Sequence, residues 1–138
     1  MIIDAKNAII GRLASVVAKR ALQGETVDII NADLAVITGN RKFIIDKYTH
    51  RMSRGMPKTG PFFFKKEDRF VRRVIRGMLP YTQPKGKTAY GNVKCHIGVP
   101  LEFKDKKAEA IASADVTKTQ NLKYITVKEL CMLLGREQ

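Results

Sequence analysis

Cysteine and histidine are scarce: Cys95, Cys131, His50 and His96 are the only ones in 138 residues. No CxxC pair exists, and no two of the four have the spacing of a zinc finger. A metal site and a disulfide framework are therefore not expected, and both cysteines read as small buried apolar groups of a cytosolic protein. Long hydrophobic runs are missing too. No stretch approaches the roughly 18 apolar residues that a membrane-spanning helix needs. The chain opens on Met1-Ile2-Ile3-Asp4, with neither the basic start nor the apolar stretch of a secretory signal, so the protein is expected to stay where it is made.

The motifs of nucleotide enzymes are absent as well. The turn over residues 4–11 carries a single glycine and no G-x-G-x-x-G, and nowhere is there a G-x-x-x-x-G-K-[ST]. Thr38-Gly39-Asn40 could bind an anion, as many such turns can. Cys95 and His96 are adjacent on a strand-like segment, so their side chains point to opposite faces and cannot act as a nucleophile–base pair. Neither an enzyme, a cofactor nor a small-molecule substrate is expected.

Acids are the most telling shortage. The chain has 26 Lys and Arg against 13 Asp and Glu, a net charge of +13. Residues 41–94 hold 15 of the basic residues and only three acids, Asp46, Glu67 and Asp68, a local charge of +12. The rest of the chain is nearly neutral. Such a segment needs a polyanion to neutralise it in use, and nucleic acid is the commonest. A membrane surface would suit the charge, but no amphipathic helix presents large apolar residues outward. With 44% hydrophobic and 28% charged residues the chain is globular, of a length for one domain spanning residues 1–138, with the basic segment inside it.

Periodicity predicts strands over residues 1–5, 27–31 and 34–38, the last an apolar run fit for a strand buried on both faces of a parallel sheet. Residues 9–22 read as a helix with Ile9, Ile10, Leu13, Val16 and Val17 on one face. Ala14, Ala18 and Ala21 form a small-residue flank for close packing, and Gly24 is the stop. Asn40 can cap a helix that begins at Arg41 and reaches Lys47 or beyond. This order of elements indicates an α/β layer fold with right-handed crossovers.

Residues 51–66 lose all periodicity and read as an extended basic loop carrying Arg51, Arg54, Lys58, Lys65 and Lys66. Phe62, Phe63 and Phe64 could stack on bases, but at least two are expected to pin the loop to the core. Residues 67–79 read as a helix with two faces. Phe70, Val71, Val74, Ile75, Met78 and Leu79 fill one side, and Arg69, Arg72, Arg73 and Arg76 lie within an arc of roughly 100° on the other. Pairing with Glu67 or Asp68 is possible, but two acids cannot neutralise four arginines, and guanidinium forks suit phosphate. Replacing Arg72 and Arg76 together by Glu is expected to spare the fold and weaken nucleic-acid association. Residues 83–87 read as a second basic loop with Lys85 and Lys87, 93–97 as a strand, about 100–112 as a short helix and 121–126 as an extended piece. Thr126 and Glu129 form a capping box for a last helix over 127–134, ended by Gly135. Together with Arg41, the lysines and arginines of the two loops and the arginine face are the candidate nucleic-acid-binding residues.

Six motifs occur in order: Ile3-Asp4-Ala5, Gly11-Arg12-Leu13-Ala14-Ser15 with Val17-Ala18-Lys19, Thr38-Gly39-Asn40, Gly60-Pro61-Phe62, Arg76-Gly77-Met78-Leu79-Pro80 and Gly98-Val99-Pro100. They resemble the universal large-subunit ribosomal protein thirteen family over roughly residues 2–103. Gly60-Pro61-Phe62 stands where bacterial members usually carry a Gly-Tyr-Pro-Gly-Gly loop, and the long C-terminal extension of eukaryotic members is missing, which points to the archaeal form. The resemblance implies a three-layer α/β/α fold around a four-stranded, mainly parallel sheet. It also implies a structural role in the large ribosomal subunit, in contact with large-subunit ribosomal RNA and neighbouring ribosomal proteins, early in assembly. A free-standing RNA-binding regulator is the competing expectation, weakened by the lack of a helix-turn-helix, RNP aromatics or a GXXG clamp.

Overall fold

The structure, a computed structural model, describes residues 1–120 and 123–135. Strand β1 (Ile2–Asp4) runs into helix α1 (Ile10–Leu22) and then strand β2 (Val27–Ile30), a parallel βαβ unit with Ile3 opposite Ile29. Strand β4 (Val93–Cys95) adds to β2, and β5 (Glu109–Ala110) to β1, so the sheet order is β4-β2-β1-β5 with every ladder parallel. Ile3, Val27, Ile29 and Val93 share one face and are fully buried in the core with Leu13, Ala14, Val17 and Ala21 of α1. The alanine flank sits against the core as its spacing predicts, because alanine lets the helix axis approach closely.

Steps from β1 to β2 to β4 run in one direction across the sheet, and the return to β5 runs back past both. Right-handed crossovers therefore put the return segment on the opposite face. There the 3-10 turn Leu101–Phe103 lays the Phe103 ring 5.4 Å from that of His96, and His96 Nε2 lies 3.3 Å from Asp28 Oδ1. This is the third layer of the α/β fold, thinner and more polar than the first. The helix expected over 100–112 is thus a 3-10 turn followed by β5; its charged residues face solvent and its strand is only an edge.

The apolar run at 34–38 also forms something other than expected. Ala32–Leu34 make a 3-10 turn, and β3 (Val36–Thr38) pairs antiparallel with β6 (Tyr124–Thr126) in a separate two-stranded ribbon. Within β3 only Val36 is buried and Ile37 and Thr38 are half-buried, so the apolar run marks neither a doubly buried strand nor the direction of its partner. The ribbon leads straight into α5 (Val127–Leu133), where Thr126 Oγ1 accepts from the Glu129 amide at 3.2 Å, and Gly135 follows at φ +83°. Half of the capping box forms. Of the extended piece expected at 121–126, residues 121 and 122 lie outside the described residues.

Helix α2 (Arg41–Met52) begins at Asn40, whose Oδ1 accepts from the Lys42 amide at 3.1 Å as an N-cap. Helix α3 (Glu67–Gly77) buries Phe70, Val71 and Ile75 between α1 and α5, and Glu67 is fully buried. The expected second basic loop is instead helix α4 (Pro84–Gly91). Pro84 takes the first-turn position that proline tolerates. Gly86 faces the end of α3: a methyl group there would fall 2.0 Å from the Pro80 carbonyl oxygen. That contact, not flexibility, explains a glycine in the helix. Gly86→Ala should therefore lower stability by about 1–3 kcal/mol through overpacking, against the roughly 0.5–1 kcal/mol gain that helix propensity alone would bring. The urea unfolding midpoint of the variant reads the sign.

Candidate nucleic-acid interface

Phosphate recognition by arginine needs the guanidinium held in place without cancelling its charge. On α3 this is done with aromatic rings. Arg72 lies over Tyr90 with its carbon 4.4 Å from the ring centre, and its Nη2 donates to the Tyr90 carbonyl at 3.3 Å. Arg76 lies 4.8 Å over Tyr81, and the Tyr81 and Tyr90 rings meet edge to face at 5.7 Å. Arg69 and Arg73 share the Phe64 ring, at 5.7 and 5.4 Å. All four arginines of the expected face are thus held by aromatic side chains from outside α3.

The loop phenylalanines divide their work. Phe63 joins Tyr48 and Phe70 in a trio with ring centres 5.3–6.2 Å apart and pins the loop to the core. Phe64, 37% exposed, props up the arginines, and Phe62 is 61% exposed. One ring, not two, anchors on the core. Burial in the trio pushes the Tyr48 phenol above its ordinary pKa, with Arg51, 5.5 Å over its ring, pulling the other way. Arg51 and Arg73 line one cleft of about 370 Å³ with Tyr48, Phe63 and Phe70.

The other candidates scatter around this centre. Arg51 belongs to α2 rather than to the loop. Arg54 Nη2 sits 3.0 Å from His50 Nε2. Lys58 is exposed near the tip of the loop, where the amides and carbonyls of Met56 and Gly60 exchange hydrogen bonds at 3.1 and 2.9 Å. Lys66 is exposed at the start of α3, and Lys85 and Lys87 are exposed on α4. Two candidates point elsewhere. Arg41 forms an ion pair with Glu129 of α5, and Lys65 reaches Gly135 at the C-terminal end of α5, where the helix dipole favours a cation.

Sequence reasoning missed Tyr81 and Tyr90. They flank a proline–glycine stretch after α3, and only the packing of α4 turns their rings toward Arg76 and Arg72. Lys94 and His96 were missed too: with Asp68, Arg69, Arg72 and Cys95 they line a polar cleft of about 350 Å³ where α3 meets the β4 edge. The Cys95 thiol there is pushed up to about 12, chiefly by burial, with Asp68 and Asp28 adding to the shift and Arg72 opposing it. Among the described residues no group of three or more His, Cys, Asp or Glu could hold a metal ion.

A sequence profile described as Ribosomal protein L13 matches residues 1–102. The chain belongs to that family. It is 43% identical over 136 residues to the large ribosomal subunit protein uL13 of Methanopyrus kandleri, covering 97% of this chain and 86% of that protein. It is also 43% identical over 135 residues to the uL13 of Methanosarcina barkeri, covering 97% and 96%. With the uL13 of Haloarcula marismortui the identity is 38% over 135 residues, covering 98% and 90%. These relatives are archaeal, as the Gly60-Pro61-Phe62 motif suggests, and they align well past residue 103, where the motifs stop.

The geometry changes one expectation. Arg72 is not a free surface residue: its Nε is buried and its head is fixed to Tyr90. Glu at this position would face the Tyr90 carbonyl and share a cleft with Asp68, so the Arg72 and Arg76 double replacement is expected to cost stability as well as RNA association. Arg72→Ala should lower stability by about 1–2 kcal/mol through the lost stack and hydrogen bond, while Arg69→Ala, at an exposed position, should stay within about 0.5 kcal/mol. Paired urea unfolding curves distinguish them.

A thiol raised this far is almost entirely protonated near neutrality, and only the thiolate attacks alkylating agents. Iodoacetamide should modify Cys95 in the folded protein far more slowly than free cysteine at pH 8. The rate should still climb with each pH step to 10, where free cysteine has levelled off. Mass spectrometry of the Cys95 peptide gives the measurement.

Proposed function

We propose that this chain is a non-catalytic structural constituent of the large ribosomal subunit. In this reading it binds large-subunit ribosomal RNA through the α3 arginine face with the basic groups of α2, α4 and the 53–66 loop. It adjoins neighbouring ribosomal proteins in the cytoplasmic ribosome and takes part in subunit assembly. The relatives are named large ribosomal subunit proteins, and membership of a structural ribosomal family argues against catalysis.

The single observation that carries the RNA-binding surface is the way α3 holds its arginines. Rings orient the guanidinium groups yet leave their charge intact, which suits a partner that supplies many anionic oxygens. Closely placed phosphates of folded RNA repel one another, and a +12 segment on a rigid core offsets that repulsion.

Sedimentation of a gently prepared lysate through sucrose tests the assignment. The protein should travel with the large subunit at moderate salt and stay there through a high-salt wash; release at moderate salt would leave a free-standing RNA-binding protein as the better description. With purified RNA, log K should fall linearly with log salt, by about 0.7–0.9 per phosphate neutralised. Arg69→Glu should flatten that slope.

A further inference from the structure

Next to the arginine stacks lies a cleft of about 260 Å³ lined by Phe64, Arg69, Arg72 and Tyr90. Its walls are two rings and two guanidinium groups, all flat and π-faced, and no carboxylate lines it. Phosphate alone would need none of the apolar surface, and an apolar side chain would gain nothing from two cations. A flat heteroaromatic group attached to phosphates matches both halves, and that combination is a nucleotide. Arg72 is held there by its stack on Tyr90 and its bond to the Tyr90 carbonyl, so that wall of the cleft is preformed.

Resting on the proposed RNA-binding role, we propose that this cleft receives one unpaired RNA base, stacked between the Phe64–Arg69 and Tyr90–Arg72 pairs, with its flanking phosphates on the arginine N–H edges. A base within a duplex cannot enter, because its faces are covered by its neighbours and its edge is paired. The surface would then distinguish an RNA carrying an extruded nucleotide from an equally charged perfect helix. Stacking on aromatic and guanidinium planes tolerates every base, so the selection is for the unpaired state rather than for a sequence.

The test compares two RNA hairpins of equal length and charge, one fully paired and one with a single unpaired 5-iodouridine, bound by the full-length chain and by Phe64→Leu. The parent should bind the bulged hairpin about tenfold tighter, ultraviolet light should crosslink the iodouridine to Phe64 or Tyr90, and Phe64→Leu should abolish the preference. Phe64 lies on the surface, so this variant is expected to fold; its thermal melt verifies that, and the crosslink in the parent needs no variant. Equal binding of both hairpins, or a crosslink elsewhere, overturns the base cleft while leaving phosphate binding intact. Equal weakening on both hairpins in Phe64→Leu makes Phe64 a positioning residue for Arg69 and Arg73 and also overturns it. Full displacement of the bulged hairpin by excess adenosine monophosphate would make the cleft a site for free nucleotide instead. Failure to bind either hairpin at low salt counts against the proposed function itself.

Discussion

Four like charges on one helical arc must be kept in place, and the surrounding structure is organised around that constraint. Neighbouring arginines one turn apart on α3 repel by about 0.7 kcal/mol per pair in water, or about 3 kcal/mol over the four neighbouring pairs before salt screening. Acids could remove this repulsion, but they would also cancel the charge. Cation–π stacking at about 0.5–1 kcal/mol each, over four arginines, is of the same size and leaves the charge unchanged. The contrast with Arg41 and Arg20 is instructive: each meets a carboxylate, Glu129 and Glu109, at the edge of the basic segment or outside it. Neutralising pairs stand at the margin and charge-preserving stacks at the centre.

The rings must reach α3 from elsewhere, and this gives the irregular segments their purpose. Phe64 arrives from the loop because Phe63, one residue earlier, is locked into the Tyr48 and Phe70 trio. Tyr81 and Tyr90 arrive from the two sides of α4, whose approach to α3 depends on Gly86 having no side chain against Pro80. On its other side α3 is held by Phe70, Val71 and Ile75 in the core it shares with α1 and α5. A rigid inner face thus sets the position of the outer one.

What the sequence reveals depends on whether the signal is local. The α1 and α3 periodicities, the Asn40 cap, the Thr126 cap and the parallel βαβ start are written within a few residues of one another and form as read, except that α3 ends at Gly77 and leaves Met78 exposed, and Val16 of α1 is only half-buried. The two faces of α3 were likewise legible, since 100° per residue is enough to separate Arg69, Arg72, Arg73 and Arg76 from Phe70, Val71 and Ile75. Residues 34–38 misled because an apolar run reveals neither burial on both faces nor strand direction. Residues 83–87 misled because Pro84 and Gly86 are usual loop residues, and their helical roles depend on a backbone carbonyl from another segment. For the same reason the partners of Arg72 and Arg76 were hidden: Tyr90 and Tyr81 lie 18 and five residues along the chain, and nothing local pairs them.

On the proposed reading, lysine and arginine divide the labour in a way their chemistry explains. Lys58, Lys66, Lys85 and Lys87 are exposed, with flexible stems and strongly hydrated heads. Such groups supply a long-range field that draws RNA in and that salt weakens readily. Arg72, Arg73 and Arg76 are half-buried and fixed flat on rings, so less conformational freedom is lost when phosphate arrives. Their contribution is geometric, deciding which arrangement of phosphates fits after encounter. A surface of lysines alone would hold any polyanion, and a surface of stacked arginines alone would meet its partner slowly. Placing mobile charge around a preorganised centre gives a small rigid domain both capture and registration, which suits a component that must find one place in a large folded RNA.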